Sequence, residues 1–386
     1  LAWRMNEEEF IKQMNVFSNL KMRLGWGITG NQEITSKISQ ATLGSVTGAV
    51  LNGGNTLIPG YTLTRTPDPD LKWEKTTQYN WGLDFGFFKG RLSGTLDLFY
   101  KNTTDVQMNV ATKMPSPTAT FWTNMDLNII NKGLEVSLNG VIIDKKDLNW
   151  SANLNFSTIS NVVKNMDVSK IPTGYPSGPG ITGTPSQYII NNEPLGTFWG
   201  KTFLGFDESG KSIFAKDADG KETEGVIGNA LPDFTYNFST TLAYKRFDLT
   251  LNFNGVYGND VYNNLANIMD QMSLFGSGWN VTPSALKSGE STSNVLNYSS
   301  RFIEDGSYLR LSNATLGYNF KLSNQKYISK LRAYVSGNNL FVITDYSGYD
   351  PEVNTTRVSN GVPALGIGWT TYPKARTITF GVNVEF

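Results

Sequence analysis

No cysteine and no histidine occur among the 386 residues. Their absence excludes disulfides, thiol nucleophiles, Cys/His zinc sites and Ser-His-Asp triads. Charge is sparse, at 17% of residues, against about 25% in soluble domains. It also cancels, with 33 basic and 33 acidic side chains, so no overall field favours nucleic acid. Long apolar runs are missing. Leu340-Phe341-Val342-Ile343 is typical of the longest, far short of the ~18 residues of a membrane helix. Mean hydropathy is only −0.28. A barrel strand passes unseen through such tests, because every second residue is polar. The opening Leu1-Ala2-Trp3-Arg4-Met5-Asn6-Glu7-Glu8-Glu9-Phe10 is amphipathic and has no signal-peptide pattern. An outer-membrane protein needs such a signal, so the expectation is either a mature fragment or an N-terminus that lies upstream.

What is abundant is glycine, at 38 residues, and aromatics, at 12%. They fall into segments that alternate with period two. The last is the clearest: Ile378, Phe380, Val382, Val384 and Phe386 share one face, opposite Thr377, Thr379, Gly381, Asn383 and Glu385. A frayed terminus in water seldom carries such a pattern, whereas a barrel gives it neighbours and lipid. Similar stretches are Leu20 to Ile28, Tyr79 to Phe87, Leu92 to Tyr100, Leu134 to Ile142, Leu148 to Phe156, Phe234 to Tyr244, Phe247 to Tyr257, Ala314 to Phe320 and Leu331 to Val335. Their apolar faces end in Trp and Tyr, as a membrane-interface girdle requires. Their polar faces are Asn, Ser, Thr and Gly, where a soluble β-sandwich would carry Lys and Glu.

The connections alternate as well. Short turns are expected at Lys89-Gly90, Asp144-Lys145-Lys146-Asp147, Lys245-Arg246 and Ser323-Asn324-Gln325, and long excursions over 29–72, 102–127, 159–233, 258–307 and 344–374. Counted back from Phe386, every short turn falls at one end and every long loop at the other. This holds when Leu195–Phe214 is taken as a hairpin inside one loop. Short periplasmic turns and long extracellular loops are the outer-membrane pattern. The reading is an all-β chain: residues 1–16 a connector with a short helix at Glu7–Met14, residues 17–386 an antiparallel transmembrane β-barrel wall. It has about ten strands, each long enough to cross a bilayer when tilted.

Four segments carry a resemblance. Gly27-Ile28-Thr29-Gly30-Asn31-Gln32 and Gly255-Val256-Tyr257-Gly258-Asn259-Asp260-Val261-Tyr262-Asn263 leave strands. Arg301-Phe302-Ile303-Glu304-Asp305-Gly306-Ser307-Tyr308-Leu309-Arg310-Leu311 enters one, and Gly337-Asn338-Asn339-Leu340-Phe341 runs on to Gly348-Tyr349-Asp350-Pro351-Glu352. In this order, with the terminal aromatic strand, the chain resembles the C-terminal barrel region of SusC/RagA-type TonB-dependent transporters. The resemblance implies part of a plugged barrel of about 22 strands, with the plug, the TonB-binding segment and the N-terminal strands outside this sequence. It implies uptake of glycan oligosaccharides or peptides under a SusD-like surface lipoprotein, energised through TonB. The alternatives are a TonB-independent porin or assembly component with the same wall, and a non-membrane β-rich adhesin.

No catalytic constellation, cofactor site or metal site is expected. Asp217 and Asp219 suggest the start of a calcium loop, but Ala215 and Lys216 stand where another acid is needed, so a plain Asp-Gly turn is the better reading. Glu304-Asp305-Gly306 reads as a structural motif with Arg301 or Arg310 as ion partners. Gly25-Trp26-Gly27 and Gly53-Gly54 lack the strand-to-helix setting of phosphate loops. Trp122, Tyr262, Trp279, Tyr346 and Trp369 lie on the long loops and are the candidates for stacking on substrate. Ile378, Phe380, Val382, Val384 and Phe386 resemble the signal by which the barrel-assembly machinery captures its clients.

Overall fold

The computed structural model describes residues 1–31, 33, 36–50, 57–322, 327–353, 358–359, 362–369 and 372–386. Gln32, the Gly53-Gly54 pair and the expected turn at Ser323-Asn324-Gln325 lie outside the described residues. One antiparallel sheet of 11 strands dominates. In chain order these are β1 (Ala2–Arg4), β2 (Phe17–Asn31), β3 (Glu74–Phe87), β4 (Leu92–Thr104), β5 (Asn128–Lys145), β6 (Leu148–Lys164), β7 (Phe234–Tyr244), β8 (Phe247–Tyr257), β9 (Tyr308–Asn319), β10 (Lys330–Thr344) and β11 (Thr377–Glu385). Each wall strand pairs with its neighbour in that order, and no pairing joins β1 to β11 among the described residues. The connector holds a three-residue strand besides its helix, which is shorter than expected, Glu9–Lys12.

The alternation survives as two faces. Across six strands Leu98, Trp81, Leu24, Leu134, Thr158 and Phe234 stand in one register row. Exposed large apolar residues such as Trp26, Tyr79, Tyr257, Phe247, Phe320 and Phe380 lie on the outside. Aromatics close both ends of this face: Phe234 stacks on Tyr257 at 4.9 Å near the long loops, and Phe247 meets Tyr318 at 4.9 Å near the short turns. The inner face is polar. Asn161 bonds Asn131 at 2.7 Å, Asn313 bonds Asn338 at 2.8 Å and Thr76 meets Thr103 at 2.8 Å across the strands. An apolar exterior over a hydrogen-bonded interior inverts the order of a soluble sandwich and fits a hydrocarbon surround.

The inner face also carries one ionic arrangement twice. Arg23 on β2 lies opposite Gly82 on β3, which lies opposite Asp97 on β4. Arg332 on β10 pairs with Asn319 on β9 and reaches diagonally over Gly317, two residues along, which lies opposite Asp248 on β8. In each row the charged partners are two strand spacings apart, roughly 9–10 Å. Only a residue without a side chain lets the guanidinium lie flat across the middle strand. Arg23 Nη2 then reaches Asp84 at 2.8 Å and Asp97 at 2.9 Å, and Arg332 forms a bidentate pair with Asp248. A Cβ on Gly82 would sit 2.6 Å from both the Arg23 guanidinium carbon and an Asp97 oxygen.

Gly82→Val and Gly317→Val should each therefore cost about 1–3 kcal/mol by forcing the arginine out. The loss reads as a lower temperature at which the barrel gives up its folded gel mobility. Gly140→Val, whose Cβ meets only the Ala152 carbonyl oxygen at 4.0 Å, should leave that temperature unchanged.

Candidate functional site

All five long excursions leave the same end of the wall, and they hold the buried core. Val106, Met108, Leu127, Val163, Met166, Ile171 and Ile189 form one cluster. Ile181, Phe198, Tyr262, Tyr298, Phe302, Ala364 and Ile367 form a second. The stretch Leu195–Phe214 does lie inside a single loop, but not as one hairpin. Thr197–Lys201 pairs with Glu224–Asn229, while Phe203–Phe206 pairs with Ser212–Phe214. Within the first of these strands Gly200 packs under the Tyr298 ring, where a Cβ would come within 2.8 Å of it.

Hydrogen bonds knit three loops into one body. Buried Gln187 donates to the Leu365 carbonyl at 2.6 Å and accepts from the Leu365 amide at 3.1 Å. The Tyr298 hydroxyl donates to the Ser186 carbonyl at 2.9 Å. Asp260 accepts from the Asn229 amide at 2.7 Å, and its neighbouring segment pairs with both Ile303–Asp305 and Ile367–Gly368. Burial holds the Asp260 carboxyl above the usual carboxylate range; the Asn229 bond lowers it less.

This body is fastened to the wall by a buried ion cluster. Arg310 on β9 reaches Asp350 at 2.7 Å and Glu352 at 3.2 Å, and Lys374 also pairs with Glu352. Asn254 donates to Glu352 at 3.2 Å. Arg310 and Asp350 are 5% and 8% exposed, so the charges are committed to each other. Burial and the Arg310 charge push the Lys374 ammonium below its usual value. Arg310 points inward only because the strand slips phase. Ser312 is left unpaired between Leu311 and Asn313, opposite Asn339-Leu340 on β10, and Asn339 takes φ +51°. The bulge turns Leu309 and Leu311 outward in line with Leu316, and Arg310 inward.

Below the mouth the inner wall is a polar strip. Thr95, Asp97, Glu135, Ser137, Asn155 and Asn237 line a cleft of about 260 Å³. It offers hydrogen bonds to a solute or to a packed domain and holds no nucleophile-base pair.

The aromatic candidates separate. Tyr262 is fully buried and Tyr346 nearly so; both pack the mouth, and neither presents a ring to solvent, contrary to the expectation. Tyr346 and Trp369 meet, with Tyr349 and Asp350, around a space of about 10 Å³, too small for a sugar ring. Trp122 is half-buried in a hairpin, Val106–Ala111 with Thr120–Met125. Trp279 is exposed.

Asp217 folds a turn, accepting at Oδ1 from the Asp219 and Lys221 amides at 3.0 and 2.9 Å. Asp207 makes the same turn with Ser209 and Lys211. The Lys211 amide and the Ser209 hydroxyl hold its carboxyl below the usual range. Among the described residues no cluster of acids suits a metal ion. Glu304 pairs with neither arginine expected for it: it accepts from Asn263 and Ser347 at 2.9 Å and 2.7 Å. Arg301 instead binds Glu290 at 2.9 Å. The terminal apolar face, Ile378 to Phe386, lies exposed on the outside of the last strand.

A family model described as TonB dependent receptor-like, beta-barrel, matches residues 40–340. The chain belongs to that family. It is an outer-membrane β-barrel chain. It is 31% identical over its whole length to TonB-dependent receptor P3 of Formosa agariphila, of which it covers 41%. It is 31% identical to the TonB-dependent receptor SusC of Bacteroides thetaiotaomicron, of which it covers 39%. It thus spans about two fifths of these TonB-dependent receptors. The RagAB peptide transporter shares the fold, with a TM-score of 0.79 at 23% identity, over all of this chain and 43% of the other.

Two outcomes test the mouth of this barrel. Arg310→Met should cost about 3–5 kcal/mol by stranding buried Asp350, seen as faster amide exchange over 345–353 and 364–369; Arg310→Met with Asp350→Leu should recover much of the protection. Asp260, with its folded-state pKa raised, favours the neutral acid in the fold. Its contribution to protection should fall as pH rises from the ordinary carboxylate value through the raised one. Asp260→Asn should flatten that dependence.

Proposed function

We propose that this chain is the C-terminal wall and outer mouth of a SusC-like importer for bulky nutrients, glycan oligosaccharides or peptides. The observation that carries the proposal is the likeness to SusC over the whole chain, including the loops. Two further features agree with it. The polar inner wall suits a plug domain packed in the lumen, and the interlocked loops suit a fixed rim against which a lid can seal. Transport would need the remaining strands, a plug and TonB, none of which this sequence supplies. No reaction chemistry is assigned to any residue.

A SusD-like lipoprotein is the proposed lid. The hairpin Thr42–Val50 with Leu57–Arg65 exposes Leu43, Val46 and Tyr61, an apolar group on the extracellular side that a partner can cover. Trp279, and with less open surface Trp122 and Trp369, are the proposed substrate contacts. The face ending in Phe386 is the proposed signal to the barrel-assembly machinery.

Labelled oligosaccharide and peptide uptake by the complete protein decides the class. Uptake that stops when TonB is removed supports import, and uptake that continues unchanged refutes it in favour of a passive pore. Leu43→Lys with Tyr61→Lys should cut recovery of the lipoprotein with the purified barrel about tenfold, a loss of roughly 1.4 kcal/mol, without altering barrel mobility. Phe386→Ser should lower the amount of folded protein in the outer membrane, measured as the heat-modifiable fraction, while synthesis is unchanged.

A further inference from the structure

The short-turn end of the wall is rich in basic side chains. Three turns join β3 to β4, β5 to β6 and β7 to β8. They and their flanking residues carry Lys89, Arg91, Lys145, Lys146, Lys245 and Arg246 against two carboxylates, Asp144 and Asp147. Lys321 extends the series after β9. Two of these cations are engaged: Arg91 donates to the Val141 and Ile142 carbonyls and Arg246 to the Tyr318 hydroxyl. Lys89, Lys145, Lys146, Lys245 and Lys321 are exposed, and no ion pair holds them among the described residues. The other acids at this end are occupied or set apart. Glu385 pairs with Lys330 at 2.7 Å, Glu7 lies near Lys12 at 3.8 Å, and Glu8 accepts from Trp3. Glu9 begins the connector helix, beside the first strand pair.

The depth of these lysines matters as much as their sign. Outward-facing Phe88, Tyr244, Phe247 and Phe320 form the lowest row of the apolar face and are all strongly exposed. Such a row marks the boundary between hydrocarbon and headgroups. The ammonium groups, that of Lys245 lying 5.3 Å from the centre of the Tyr244 ring, sit within one or two residues of that row, which is the level of lipid phosphates. Long side chains there extend along the interface and place the charge in the headgroup layer.

We propose that the short-turn rim binds the phosphate headgroups of anionic phospholipid in the periplasmic leaflet, along an arc from Lys89 through Lys145-Lys146 to Lys245. The occupant is a lipid: the arc follows the bilayer edge of the wall, with acyl-chain-facing aromatics directly above it. The inference rests on the membrane placement and is independent of whether the protein imports anything. A basic residue at an anionic surface contributes about fivefold in affinity, and the attraction is screened by salt.

The test uses the complete barrel protein in detergent, mixed with phosphatidylglycerol or phosphatidylcholine, with retained lipids counted by native mass spectrometry. Phosphatidylglycerol should be retained preferentially, and 0.5 M salt in the incubation should erase the preference. K89N/K145Q/K146Q/K245N should reduce it about tenfold or more. Asn is chosen at Lys89 and Lys245 because both have left-handed backbone, φ +58° and +54°. K211Q/K221Q, on the extracellular loops, should change nothing. Unchanged folded gel mobility of both variants excludes misfolding as the cause. Equal retention of the two lipids overturns the proposal, as does a preference that survives the four substitutions. Full displacement of phosphatidylglycerol by equimolar inorganic phosphate also overturns it, by showing a site for free phosphate.

Discussion

A backbone amide facing hydrocarbon has no water to fall back on, so its partner must be another strand. The wall follows from that constraint. It explains why ten long strands of 9–18 residues run antiparallel in strict sequence order. It explains too why the side chains sort into an apolar exterior and a hydrogen-bonded interior. With the ladder satisfied, the remaining questions are what the inner face does with its charges and how the long loops stay together. Both are answered by buried or half-buried ion pairs whose geometry depends on the ladder register: the arginine rows over Gly82 and Gly317, and the cluster around Arg310.

The wall was legible because period-two patterning reports directly on strand faces. The positions of the turns and the side on which each lies could be read by counting. The phase slip was in principle visible too. Leu309 and Leu311 are odd-numbered while Ala314, Leu316 and Tyr318 are even-numbered, so a single-residue bulge had to fall between them. The mouth was much less legible. Tyr262 is buried among Ile181, Phe198, Tyr298 and Ile367, which come from three separate loops, and Tyr346 lies against Gly368; no local pattern signals such packing. Glu304 was matched to nearby arginines by charge, whereas the fold gives it amide and hydroxyl donors and sends both arginines elsewhere.

The two arginine rows show how little sequence is needed to build a specific contact in a sheet. A basic residue, a glycine and an acid stand on three successive strands, far apart along the chain at one step and joined by a hairpin at the other, and are brought together by strand pairing. Their recurrence near the two ends of the wall, in opposite order along the chain, ties three strands at a time by something stronger than ladder hydrogen bonds. A slip of one residue would turn the charge on the slipped strand toward lipid and leave its partners unpaired, so the rows also penalise the wrong register.

The core of this chain lies above the membrane and not within the wall, and that separates two kinds of cohesion. The strands are held by hydrogen bonds in a medium that offers no competitor, whereas Phe198, Tyr298, Ile181 and their neighbours are held together by water's exclusion of apolar surface. Urea and cold act on the second far more than on the first. The rim should thus behave as a small water-soluble domain carried on a lipid-soluble frame, able to come apart and reassemble while the frame beneath it stays whole.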